Sequence, residues 1–248
     1  MTLGLALAAC ILHYWLTRLQ GPLTLERRAF WLQSACKRVM AAMGVHSRVE
    51  GAAPARGLVV SNHLSYVDIL IYGAIMPCFF ISKAEVVSWP FFGWAARTGG
   101  ALFLDRRRRS SANAVAQAMA ERLELAVPVV LFPEGTSTDG AQVQHFHPRL
   151  FEPAIIAAAP VTAAAIRYVI EGAEERELCW YGDMPFLPHL WKVLGSRGFF
   201  AVVHFGGPQV YLNRRTATQS THDQVAAMRA GLPAQRDAES IDSQLRAH

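Results

Sequence analysis

The sequence predicts a layered α/β fold with a largely parallel sheet. Two observations carry that expectation. Apolar runs such as Leu58–Val60 and Val127–Phe132 read as buried strands, and helical stretches such as Ser110–Ala126 alternate with them. At 248 residues the chain also suits one large domain with a real core. Hydrophobic residues make up 52% and charged residues only 17%, greasier than a typical soluble domain, which points to membrane contact. Net charge is +5 and the pI is near 9.3. No nucleic-acid motif is present, so this basicity favours an anionic membrane face.

Residues 1–17 contain no Asp, Glu, Lys or Arg, and Thr2–Leu16 is nearly all apolar. The run is shorter than the roughly 20 residues a full span prefers. Tyr14 and Trp15 suit an interfacial aromatic belt, and Arg18, Arg27, Arg28, Lys37 and Arg38 follow. No basic segment precedes the run and no small-residue cleavage site follows it, which argues against a signal peptide. The expectation is a membrane anchor over residues 1–20, with the rest on the cytoplasmic face of the inner membrane. Leu25–Met43 mixes basic and aromatic residues at helical spacing, fitting a membrane-surface helix or one packed on the core. Gly44 ends it. Val45–Glu50 is a short strand, and 51–57 is a Gly/Pro/Ala turn.

Leu58–Val60 leads into Ser61 and Asn62, both good helix caps, and then His63 and Asp68. Five residues apart, His63 and Asp68 cannot share a face of a regular helix. They meet only if His63 sits at the strand–helix junction and Asp68 on the first helical turn. There the carboxylate would fix the imidazole tautomer and leave the other nitrogen free as a general base. A capping His beside an ordinary helical Asp is the plainer reading. The helix is expected to run to Gly73. Cys78–Ser82 is a strand ending in Lys83 and Glu85, Trp89–Trp94 a helical turn, and Ala101–Leu104 a strand ending at Asp105 and Arg106. Arg106–Arg109 fits a solvated patch or an anion site.

After the Val127–Phe132 strand come Pro133, Glu134, Gly135 and Thr136, then Ser137, Thr138, Asp139 and Gly140. His145 and His147 have no third ligand at helpful spacing, so no metal is expected. Further strands are expected at Pro160–Ile166, Cys179–Met184 and Phe199–Phe205, with helices at Phe186–Leu194 and Gln219–Ala230 and a disordered tail from 231 to 248. The four cysteines are far apart and read as free thiols.

The blocks Asn62-His63-x4-Asp68, Lys83–Arg106 and Phe132-Pro133-Glu134-Gly135-Thr136, in this order, resemble the glycerolipid acyltransferase family over residues 25–210. The resemblance implies a mixed, largely parallel sheet within an acyltransferase domain spanning 21–215. It implies transfer of a fatty acyl group from acyl-CoA or acyl-carrier protein to a lysolipid hydroxyl, without a cofactor. His63 would be the base and Asp68 its orienting partner. Asn62, Lys83, Arg106, Pro133, Glu134, Gly135 and Thr136 would bind substrate, with Arg106 on a phosphate. Pro160-Val161 stands where the family's fourth block shapes the acceptor pocket. The acceptor implied by the wider group is 1-acyl-glycerol-3-phosphate. Many family members carry Arg where Ser137 stands here, and this departure resembles the lyso-ornithine lipid branch. A lipid ester hydrolase and a silent lipid-binding protein are the readings from other classes.

Overall fold

The computed structural model describes residues 2–88, 91–104, 109–170, 172–196 and 198–232. Seven strands form one sheet: β1 (Val45–Glu50), β2 (Leu58–Ser61), β3 (Phe79–Lys83), β4 (Leu102–Leu104), β5 (Val129–Leu131), β6 (Val161–Val169) and β7 (Phe199–Gln209). Their order is β1-β7-β6-β2-β5-β3-β4. Every neighbouring pair is parallel except β6 and β7. The expected mixed, largely parallel sheet is therefore present.

Period-two alternation makes the central strands apolar on both sides. Val59 points into one core with Ile166 and Tyr168, while Leu58 and Val60 point into the other with Val129 and Ala163. The first core is closed by α1 (Leu3–Leu19), α2 (Leu25–Met43), α3 (Val67–Ile75), α4 (Phe92–Thr98) and α7 (Phe186–Leu194). The second is closed by α5 (Arg109–Leu123), α6 (Glu152–Ile156) and α8 (Arg214–Gly231).

The α2 helix starts where the Thr24 hydroxyl accepts the Arg27 amide and ends on Gly44 at φ 67°, a left-handed cap that favours glycine. Trp31, Leu32 and Cys36 are buried, so α2 packs on the core rather than lying wholly on a lipid surface. α1 folds back on α2: Ala6 and Cys10 are buried and the Trp31 indole donates to the Cys10 carbonyl at 3.3 Å. Its 17 residues extend about 26 Å, short of a bilayer core of roughly 30 Å. No described helix is long and apolar enough to cross a membrane.

Two sequence expectations are corrected. Residues 179–184 do not form a strand. Both edges of β6 are taken by β2 and β7, and Trp180 in this segment instead donates its amide to the Leu64 carbonyl at 2.9 Å. The last helix begins at Arg214, not Gln219, because the Asn213 side chain caps the Thr216 amide at 2.8 Å. The Arg106–Arg108 run and the tail beyond 232 lie outside the described residues.

Candidate active site

Asn62 determines how the chain leaves β2. Its side-chain amide donates to the Ile166 carbonyl at 3.1 Å and accepts the Ile166 amide at 2.9 Å. This adds a side-chain rung to the sheet and consumes the group that was expected to bind substrate. His63 follows in the loop, and Asp68 returns on the first turn of α3. The two meet: His63 Nδ1 lies 2.8 Å from Asp68 Oδ2. Asp68 is fully buried, and Oδ2 also accepts the Leu64 and Ser65 amides at 2.7 and 3.2 Å. Its other oxygen accepts the Tyr168 hydroxyl from β6. An ionised carboxylate only accepts, so Nδ1 carries the proton and Nε2 is left with a lone pair. The ring lies flat on Phe132 at a centroid distance of 4.1 Å and is 18% exposed.

Glu134 does not point to solvent. It is 5% exposed, and its two oxygens accept the His63 amide at 2.9 Å and the Gln144 amide at 3.2 Å. It therefore ties the β5 loop to the histidine loop. Thr138 N and Trp180 N complete the clamp by donating to the His63 and Leu64 carbonyls, each at 2.9 Å. Pro133 accepts the His147 amide at 3.0 Å. Gly135, at φ 75°, allows the sharp turn after Glu134 and borders the pocket beside His63, while Thr136 is exposed.

Burial pushes the Glu134 carboxyl up to about 7, against the pull of the two amides it accepts. A folded-state value above the unfolded one stabilises the fold at low pH, and that stabilisation is lost as pH rises through about 7. Glu134→Gln cannot ionise. Wild type is thus expected to lose stability relative to Glu134→Gln between pH 4.5 and 7, by up to about 3 kcal/mol. Urea denaturation of both proteins across that range measures it. A constant difference would mean that Glu134 does not titrate there.

A pocket opens beside His63. Leu32 and Cys36 of α2, Ile69 and Leu70 of α3 and Phe92 and Ala95 of α4 form much of its wall. Among the described residues no Lys, Arg, Asp or Glu lines it. Ser137 does, and its hydroxyl donates to the Trp180 carbonyl. The arrangement offers a positioned base at the side of a pocket whose described lining is largely apolar and carries no charged side chain.

Lys83 ends β3 at the same edge of the sheet, where β2 and β5 also end. Arg106 falls outside the described residues. Pro160 and Val161 stand at the start of β6, where the Pro160 carbonyl accepts the Leu58 amide at 2.9 Å. That is the opposite end of the strands from His63, and neither residue borders the pocket. Among the described residues, no group of three or more His, Cys, Asp or Glu could hold a metal ion. All four cysteines are buried and free. Sequence reasoning missed Tyr168 and Arg229. A tyrosine near the end of a largely apolar strand was the available signal for the first.

Residues 45–167 match the family model described as Acyltransferase. The chain is 38% identical over 207 residues to the lyso-ornithine lipid O-acyltransferase of Pseudomonas aeruginosa, covering 80% of this chain and 76% of that protein. It is 31% identical over 172 residues to the 1-acyl-sn-glycerol-3-phosphate acyltransferase of Neisseria gonorrhoeae, covering 68% of each. The crystal structure of the 1-acyl-sn-glycerophosphate (LPA) acyltransferase PlsC from Thermotoga maritima superposes with a TM-score of 0.63. That match covers 95% of this chain and 88% of the other at 16% identity, a likeness of fold.

Proposed function

Because the chain belongs to the Acyltransferase family, we propose that it moves a fatty acyl group from a thioester to the free hydroxyl of a lysolipid. The observation that carries this is the His63–Asp68 pair beside a largely apolar pocket with no charged side chain among its described lining residues. Nε2 of His63 takes the proton of the acceptor hydroxyl as its oxygen attacks the thioester carbonyl. The tetrahedral adduct collapses, the C–S bond breaks, and the imidazolium returns the proton to the departing thiolate. The acyl chain occupies the pocket. The substrate supplies the nucleophile, so no serine or cysteine of the protein need be acylated.

In this reading Asp68 fixes the tautomer, and Asn62 and Glu134 are positioning residues that hold the histidine loop. Pro133, Gly135 and Thr136 line the acceptor side. Lys83 and Arg106 remain candidates for anionic parts of either substrate. Acyl-CoA and acyl-carrier protein are both suitable donors. The exposed apolar residues of α1 support attachment along a membrane surface, and the basic residues that follow in sequence favour the cytoplasmic face of the inner membrane.

The favoured acceptor is a lyso-ornithine lipid. Position 137 carries Ser in place of the Arg that the family resemblance implies, and its bond to the Trp180 carbonyl uses the position structurally. A headgroup bearing its own ammonium suits that absence. Lysophosphatidate is the second reading, supported by the Neisseria relative. Steady-state kinetics with labelled acyl-CoA and both acceptors test the choice. kcat/KM is expected to favour lyso-ornithine lipid, and Ser137→Arg to lower it, since the new guanidinium would meet the headgroup amine. Preference for lysophosphatidate, improved by Ser137→Arg, would reverse the assignment. Release of free fatty acid with no acylated lipid would mean a hydrolase.

A further inference from the structure

The α7 helix has no part in the chemistry above, yet it sits against the pocket wall. Its inner side is packed, with His189 and Val193 buried. The Phe186 ring meets Tyr66 at 5.1 Å and Phe92 at 5.7 Å, and both partners line the pocket. Its outer side shows Leu187 and Trp191 to solvent at 61% and 70% exposure. A large exposed indole beside an exposed leucine calls for a partner.

A row of aromatic rings identifies the partner. From Phe186 the row passes to Phe92, Phe91 and Trp94, and reaches Tyr14 of α1, with centroid spacings of 5.7, 6.2, 5.7 and 5.6 Å. At its far end α1 shows the same surface chemistry as α7, with Leu12, Trp15 and Leu16 exposed. The pocket wall is therefore flanked by two helices, distant in sequence, that each expose leucine and tryptophan. The charged residues of α1, α4 and α7 are Arg18, Arg97 and Lys192, all basic. Lys192 pairs with Glu177 at 3.5 Å, so the basic excess rests on Arg18 and Arg97, and exposed Leu and Trp beside that excess fit an anionic lipid surface.

We propose that α7 is a second lipid-contacting element, which seats Leu187 and Trp191 in the interface of an anionic bilayer. Together with α1 it holds the pocket against the membrane. The lipid contact goes beyond the acyltransferase reading and stands on the exposed faces. Only the identity of what enters the pocket rests on that reading.

The test uses the full chain and binding without turnover. Vesicles of phosphatidylethanolamine and phosphatidylglycerol are floated with wild type, with the Leu187→Ser/Trp191→Ser double variant, and with Leu212→Ser. Leu212 is an exposed leucine outside these helices, 95% accessible. The double variant is expected to lose about tenfold or more in partitioning, from the apolar area no longer buried. Leu212→Ser is expected to bind like wild type, and wild type to bind pure phosphatidylcholine vesicles more weakly. Acyl transfer to a short-chain acceptor dispersed below its micellar concentration should be retained, because neither substituted side chain touches the site. Unchanged partitioning of the double variant would overturn the proposal. So would a lipid-free dimer that dissociates in the double variant, since the face would then be a protein contact. A wrong acceptor assignment would alter the kinetics and leave the flotation result standing.

Discussion

His63→Ala is expected to abolish measurable acyl transfer while the protein folds and binds vesicles as before. The expected fall in kcat is at least about 10²–10⁴-fold, the range of a positioned general base. Folding survives because the ring is partly exposed and makes only the Asp68 bond and a stack on Phe132. Asp68 behaves differently. It is fully buried and accepts from His63, Leu64, Ser65 and Tyr168. Asp68→Asn sets an NH2 group against donors, so it mis-sets the tautomer and also loosens the loop. Tyr168→Phe keeps the packing and leaves one oxygen short of a donor, an effect of about 1–3 kcal/mol shared between stability and rate. The informative result is the pattern: loss of rate alone for His63→Ala, of rate and melting temperature for Asp68→Asn, and a smaller loss of both for Tyr168→Phe. Near-normal turnover by His63→Ala would remove the mechanism.

Arg229→Met gives the largest expected loss of stability, about 3 kcal/mol, at the lower end of what breaking a buried ion pair costs. Arg229 is 5% exposed near the end of α8. Its guanidinium donates to the Gly140 carbonyl at 2.6 Å, the Ile166 carbonyl at 2.5 Å and the Glu175 carboxylate at 2.6 Å. Methionine fills much of the volume and satisfies none of these. Glu175 retains some solvent, which moderates the penalty. The Ile166 carbonyl is also the acceptor of Asn62, and Glu175 accepts the Tyr168 amide at 2.8 Å. The same variant should therefore lower kcat modestly. Adding Glu175→Gln removes the stranded charge and should recover part of the stability in a double-mutant cycle. Urea denaturation decides: a loss below about 1 kcal/mol would mean that the ion pair contributes little beyond its desolvation cost.

The sequence alone determined the parts whose cause is local. A strand buried on both faces must be apolar throughout, so β2 and β5 were legible from Leu58–Val60 and Val127–Phe132. The His63–Asp68 meeting was legible only from the ordered blocks of the family resemblance, because the spacing alone read more plainly as a capping His beside a helical Asp. Tertiary structure alone decided what depends on strand order. Tyr168 reaches Asp68 across 100 residues, and Arg229 reaches Gly140 across 89, because β6 lies beside β2 and α8 covers it. Residues 179–184 looked like a strand, but both edges of β6 were taken and the Trp180 amide went to the Leu64 carbonyl instead. Asn62 and Glu134 looked like ligands, and in the fold their polar atoms are consumed by backbone partners at Ile166, His63 and Gln144. A side chain's type can be read from sequence. Whether its hydrogen bonds serve a substrate or the fold depends on which backbone groups folding brings within about 3 Å of it.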